Sequence, residues 1–152
     1  MIYPTFDTLM RAIESEVEGV LKESVSKSTE QSLKRSLETN VYARQSSGEF
    51  RTGSLRRSVF SEILKNDEED DLVLSTYNNP EKMDNMYPSL GANGSPDNRG
   101  YNIINWINGG HGGIWDYEPT YFIREARNDV NKNIVRWFSI GLRNKGINYT
   151  VR

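Results

Sequence analysis

The sequence predicts an α+β fold, a small antiparallel β-sheet packed against a long N-terminal helix and a C-terminal helix. Apolar residues recur at helical spacing from Phe6 to Val41 and again from Phe122 to Leu142. Between these stretches, two short segments rich in β-branched and aromatic residues flank a strongly charged loop. Each helical pattern is apolar on one face only, so each needs another element to cover it. At 152 residues the chain, 1–152, fits one domain, large enough to bury roughly two-thirds of its unfolded surface.

Pro4 at the first helical position and Asp7 in the first turn start the N-terminal helix. Phe6, Leu9, Met10, Ile13, Val17, Val20 and Leu21 then follow at three- and four-residue steps. Val25 continues the stripe, Ser28 and Thr29 interrupt it, and Leu33, Leu37 and Val41 resume it. The spacing predicts helix over 4–26, a continuation or short break, and helix again to 42. Unbroken, the helix 4–42 would be roughly 55–60 Å long at 1.5 Å per residue. That exceeds the diameter of a small domain, so the helix either projects or breaks near Ser26–Thr29.

A polar loop, Gln45 to Glu49, leads into Arg51-Thr52-Gly53-Ser54-Leu55-Arg56-Arg57-Ser58-Val59. Gly53 permits a positive φ and hence a sharp reversal of the chain. Leu55, Arg56 and Arg57 are expected to begin an extended segment with one apolar anchor and two cations. Ser58–Leu64 and Leu72–Tyr77 then read as the arms of a β-hairpin spanning 57–77. Its tip, Lys65 to Asp71, lacks the alternating aspartates, glycine and distal glutamate of a calcium loop, and reads as solvated.

The extended loop 78–100 holds Pro80, Pro88, Pro96, Gly91, Gly94 and Gly100, and loops of that length are usually functional or disordered. Tyr101 to Ile107 is a short apolar segment, helix or strand, that ends at Asn108-Gly109-Gly110. A C-terminal helix over 119–145 presents Phe122, Ile123, Ala126, Val130, Ile134, Trp137, Phe138 and Leu142 on one face. Arg143, Lys145 and Gly146 supply its last turn and C-cap. Residues 147–151 suit a short edge strand.

Cysteine is absent, which excludes disulfides and thiolate metal sites. No apolar run approaches the ~20 residues of a membrane span, and Met1-Ile2-Tyr3-Pro4 lacks the layout of a signal peptide. The expectation is a soluble protein made in the cytoplasm, without a membrane partner. The net charge of −2 conceals segregation: residues 22–57 carry eight cations against four carboxylates, and residues 61–99 carry nine carboxylates against three cations. The segment from Arg124 to Arg152 is basic again. Opposite blocks suit head-to-tail association in a ring, although such alternation also serves solubility.

No constellation of catalytic residues stands out. His111, the only histidine, lies in Gly109-Gly110-His111-Gly112-Gly113, which is neither a P-loop nor a dinucleotide fingerprint. Asp116 and Glu118 nearby do not complete a recognised metal spacing. Glu125 and Asp129 are one helical turn apart, but Arg124, Arg127 and Lys132 around them favour a salt-bridged helix surface. The expectation is therefore no enzyme, no cofactor and no metal. Arg51, Arg56, Arg57, Lys34 and Arg35 leave room for non-specific contact with DNA inside an assembly. A DNA-contacting or nuclease-like accessory protein is the rival from another class. Trp106, Trp115 and Trp137 suit core or interface anchoring better than base stacking.

Four features in chain order resemble the tail-completion, or head–tail joining, family of long-tailed bacteriophages. They are the amphipathic helix of residues 5–42; Arg51-Thr52-Gly53-Ser54-Leu55-Arg56-Arg57-Ser58; the apolar segment Tyr101 to Gly110; and Glu118-Pro119-Thr120-Tyr121-Phe122-Ile123-Arg124-Glu125-Ala126. Asn108 departs from the pattern, since an acidic residue is typical there, and the loops 78–100 and 109–118 are long. The resemblance implies a non-catalytic structural protein of the virion neck or tail. It would form a homo-oligomeric ring that completes the tail or joins it to the head connector. Its partners would be further copies of itself, connector or adaptor proteins, and tail-tube or tail-terminator proteins. Arg51, Thr52, Gly53, Leu55, Arg56, Arg57, Trp106, Trp115 and Tyr121 are the candidate subunit-interface residues.

Overall fold

A computed structural model describes residues 4–43, 53–66, 71–79, 82, 104–105, 107–110 and 119–147. It has the expected α+β architecture, a long N-terminal helix, a two-stranded antiparallel sheet and a C-terminal helix. The N-terminal helix starts at Phe6, two residues after Pro4. Thr5 is its N-cap: its hydroxyl accepts from the Thr8 N–H at 3.3 Å, and its own N–H donates to the Thr8 hydroxyl at 3.2 Å.

From there the chain is helical without interruption to Tyr42, as α1 (Phe6–Val20), a π turn (Leu21–Val25), α2 (Ser26–Leu37) and a second π turn (Glu38–Tyr42). A break near Ser26–Thr29 does not occur. Ser28 donates back to the Ser24 carbonyl at 2.9 Å and Thr29 to the Ser26 carbonyl at 2.9 Å, so their hydroxyls are satisfied without unwinding the backbone. The π turns close with wide-ring bonds, Ser26 N–H to the Leu21 carbonyl and Ala43 N–H to the Glu38 carbonyl. The whole rod is about 55 Å long at 1.5 Å per residue, and its first turns project from the body: Phe6 is 72% exposed and Ile13 47%.

The chain re-enters at Gly53, whose φ of 70° is the left-handed conformation its sequence position suggested. The segment beyond it is not extended. Ser54–Arg57 forms one helical turn (α3) instead, closed by the Arg57 N–H on the Gly53 carbonyl at 2.9 Å. The turn is fixed from a distance: Leu55 packs in the core, and the buried Asn78 amide donates to the Leu55 carbonyl at 2.7 Å and the Ser58 hydroxyl at 2.9 Å. Local sequence pattern carries no signal of such a contact.

The hairpin is β1 (Val59–Asn66) and β2 (Asp71–Asn78), each strand slightly longer than expected, paired from Val59 opposite Asn78 to Asn66 opposite Asp71. Alternation along the strands turns Val59, Ser61, Ile63, Leu74 and Thr76 to the face that meets α2. The Thr76 hydroxyl bridges the Thr29 and Ser61 hydroxyls at 2.8 Å each. Phe60 and Tyr77 lie opposite each other with rings edge to face, and the Lys82 ammonium sits 3.8 Å from the Phe60 ring centre.

The C-terminal helix, α4 (Phe122–Asn144), starts three residues after the expected position because Tyr121 takes a left-handed conformation, φ 49°. The expected C-cap is present: Gly146 has φ 75°, its N–H bonds the Arg143 carbonyl, and Ile147 N–H bonds the Leu142 carbonyl. Of the segment left open as helix or strand, the described residues 104–105 and 107 are helical, as are 108–109. The hairpin tip 67–70, nearly all of loop 78–100 and the tail 148–152, including most of the suggested edge strand, lie outside the described residues.

The middle of the rod lies between the hairpin and α4. Leu33, Leu37, Val41, Leu55, Val59, Ile104, Phe122 and Ala126 form the main core. Toward α4 the rod presents serines at every fourth position, 24, 28, 32 and 36. Three of them donate across the seam. Ser24 reaches the Trp137 carbonyl at 3.2 Å, Ser32 the Asp129 carboxylate at 2.6 Å, and Ser36 the Phe122 carbonyl at 2.7 Å. Asp129 thus belongs to the helix–helix contact, with Asn133 donating to its other carboxylate oxygen at 2.9 Å. It is not the purely salt-bridged surface residue expected. Arg124 and Glu125 do pair, loosely, at 3.8 Å.

At the far end of the seam Gly141 is buried. A Cβ there would lie 2.6 Å from Val20 Cγ1 and 2.9 Å from Ser24 Cβ, whereas one on Gly19 would meet only the flexible end of Lys145. Gly141→Ala is therefore expected to destabilise the fold by about 1–3 kcal/mol, the usual magnitude of overpacking. Gly19→Ala is expected to be neutral or to stabilise by up to about 1 kcal/mol through helix propensity. Urea unfolding of the two variants beside the wild type checks both.

Candidate subunit interface

The second π turn and α3 meet at a small polar junction. Tyr42 is half-buried, and its hydroxyl accepts the Arg56 N–H at 3.3 Å. One helical turn earlier, Glu38 Oε1 holds the Arg56 guanidinium at 2.8 Å. Burial pushes the Tyr42 phenol above its ordinary value, the Glu38 charge adds to that rise, and the Arg56 hydrogen bond opposes it. The junction anchors the returning chain on the end of the rod.

Of the candidate interface residues, the structure brings together Gly53, Leu55, Arg56 and Arg57 in and beside α3. Leu55, 5% exposed, faces the core and not a neighbour. Arg56 and Arg57 are exposed, and Arg56 already has an intramolecular carboxylate in Glu38. Tyr121 lies apart, at the start of α4, 43% exposed, with the Arg124 guanidinium 4.4 Å from its ring centre. Arg51, Thr52, Trp106 and Trp115 lie outside the described residues, as do His111, Asp116 and Glu118.

Asn108 has a definite task in this chain. Its side-chain oxygen accepts the Ile123 N–H at 3.1 Å, and its carbonyl accepts the Tyr121 N–H at 3.0 Å. It therefore caps α4 from a distance, which Tyr121, in the left-handed conformation and without a side-chain cap bond, does not do. Thr120 supports the same corner by donating both its N–H and its hydroxyl to the Ile107 carbonyl.

Two further exposed surfaces carry no recognisable sequence motif. Phe6, Met10 and Ile13 form an uncovered apolar stripe on projecting α1, and Ile134 and Val135 are exposed on α4. The signal for the first was present, since a helix longer than a domain must leave one end uncovered. Among the described residues, no group of three or more His, Asp or Glu side chains gathers as a metal site, and no helix is long and apolar enough to cross a membrane.

The model of the YomN family matches residues 5–144, so the chain belongs to the YomN family. No curated protein and no solved structure matches it.

Tyr42 supplies a test of the junction. Its folded pKa lies above the unfolded value of about 10, so the neutral phenol is the form the fold favours. Its contribution is complete below pH 10 and is lost as pH rises through the folded value. Tyr42→Phe is expected to cost about 0.5–1.5 kcal/mol at neutral pH, by removing the acceptor for Arg56. It should also lose less stability than the wild type between about pH 9 and 11. Denaturant midpoints across that range check both.

Proposed function

We propose that this YomN-family protein is a structural component of the neck or tail of a long-tailed phage. It forms a homo-oligomeric ring that completes the tail or joins it to the head connector. The single observation that carries this is the projecting helix. Its first turns leave Phe6, Met10 and Ile13 in water, which is the state of a subunit whose apolar surface is completed by neighbours. The phage origin of the family supports the same reading. So do the four sequence features that resemble tail-completion proteins.

In this role the chain acts by shape and adhesion. Its partners are copies of itself, a connector or adaptor on the head side, and a tail-tube or tail-terminator protein on the tail side. It is made in the host cytoplasm and ends in the virion, where contact with packaged DNA is non-specific. Rings of identical subunits use two different patches per subunit. Exposed ion pairs between subunits add only about 0–1 kcal/mol each, so buried apolar groups supply the cohesion.

Deleting the gene from its phage tests the proposal. Electron microscopy of the lysate is expected to show heads and tails that fail to join, or tails of unregulated end structure, with infectious titre restored by the gene in trans. Normal joined particles at wild-type yield, lacking the protein, would contradict it.

A further inference from the structure

Two exposed helical faces of this chain are complementary to each other. On α1 the apolar residues Phe6, Met10, Ile13, Val17 and Val20 follow a strict four-three-four-three spacing, the seam of a helix that packs against another helix. Its first three members are 72%, 39% and 47% exposed. The element is acidic, with Asp7, Glu14, Glu16 and Glu18 against Arg11.

On α4, Ile134 and Val135 are exposed, Val135 by 68%, and they share a face with the part-buried Phe138 and Leu142 at helical spacing. This element is basic, with Arg124, Arg127, Lys132, Arg136 and Arg143 against Glu125 and Asp129, and Asp129 is turned inward to Ser32. A helix four acids to one cation thus leaves part of its apolar face exposed. A helix five cations to two acids, on the same chain, does likewise.

The two faces do not cover each other within one molecule. Lys145, just past the end of α4, holds Glu16 at 3.7 Å and Glu23 at 3.4 Å, so α4 meets the rod beyond the exposed turns of α1. We infer that the projecting face of α1 in one copy docks on the exposed face of α4 in the next copy. Such a contact uses two different patches, so it propagates head to tail and leaves the growing assembly with one free face of each kind, at opposite ends. Opposite charge sets which face meets which, and the apolar residues supply the cohesion. The inference deepens the ring reading and rests on it only for closure of the assembly. The contact itself stands on exposure, spacing and charge.

The test uses the full chain in solution. Met10→Gln with Ile13→Gln blocks the α1 face, and Ile134→Gln with Val135→Gln blocks the α4 face. Glutamine keeps helix propensity and adds no charge, and circular dichroism verifies that both variants fold. By light scattering after size exclusion, the wild type is expected to form species larger than a monomer. Each variant alone should be monomeric, and an equimolar mixture should give a one-to-one dimer and nothing larger. A monomeric wild type would overturn the inference. So would an α4 variant that assembles like the wild type, which would mean α1 pairing with α1, or a mixture that stays monomeric. Failure of the virion role would not alter these outcomes, so the two claims are separable.

Discussion

The structure depends on the close approach of the long helix to α4 along a seam of small side chains. Close approach requires that neither helix carry bulk at the contact, and the chain meets this with serines at 24, 28, 32 and 36 on one side and Ala126 and Gly141 on the other. Serine fills the seam differently from alanine. Its hydroxyl reaches a second lone pair on a carbonyl that is already bonded within α4, as Ser24 does at Trp137 and Ser36 at Phe122. Each such bond contributes about 0.5–1.5 kcal/mol net, and together they fix the axial register of two antiparallel helices. A seam of interchangeable apolar residues would fix that register less sharply.

Once the seam is set, the other placements are determined by it. The face of α2 adjoining the serines carries Thr29, Leu33 and Leu37, and on it the hairpin docks through Thr76 and the core closes through Val59 and Phe122. The seam also decides where covering stops. α4 ends at Asn144, with its cap pinned by Lys145 to Glu16 and Glu23, so among the described residues the earlier turns of α1 have no helix to lie against. Exposure of Phe6, Met10 and Ile13 is thus a consequence of unequal helix lengths. In a subunit of an assembly the same inequality becomes an adhesive end.

The helices and the hairpin were legible because burial on one side writes a period of 3.6 or 2 into the sequence. The C-cap at Gly146 was legible for a local reason as well, since only glycine takes that φ cheaply. The serine seam was visible but misleading. Ser28 and Thr29 interrupt an apolar stripe, and a reading based on hydrophobicity treats them as a break, although a four-residue serine repeat marks a helix face as surely as leucine does. The helical turn at Ser54–Arg57 was not legible, because Asn78 and the core hold it from a distance. Nor was the inward role of Asp129, whose partner Ser32 is 97 residues away in sequence. For the candidate interface, the cations of α3 and the position of Tyr121 could be named from sequence. That Leu55 is a core residue, and that the two most exposed large apolar side chains among the described residues, Phe6 and Val135, lie on α1 and α4, required knowing which faces the fold covers.

Native-state hydrogen exchange on the monomeric Ile134→Gln, Val135→Gln variant, whose α1 is unaltered, tests the central claim most directly. If the serine seam holds the rod to α4, amide protection begins near Val20 and runs without a gap through Ser26–Thr29 to Leu37, while the amides of Phe6 to Ile13 exchange at rates near those of an unsupported helix. Rapid exchange across Ser26–Thr29, or protection of the first turns equal to that of α2, would contradict the account.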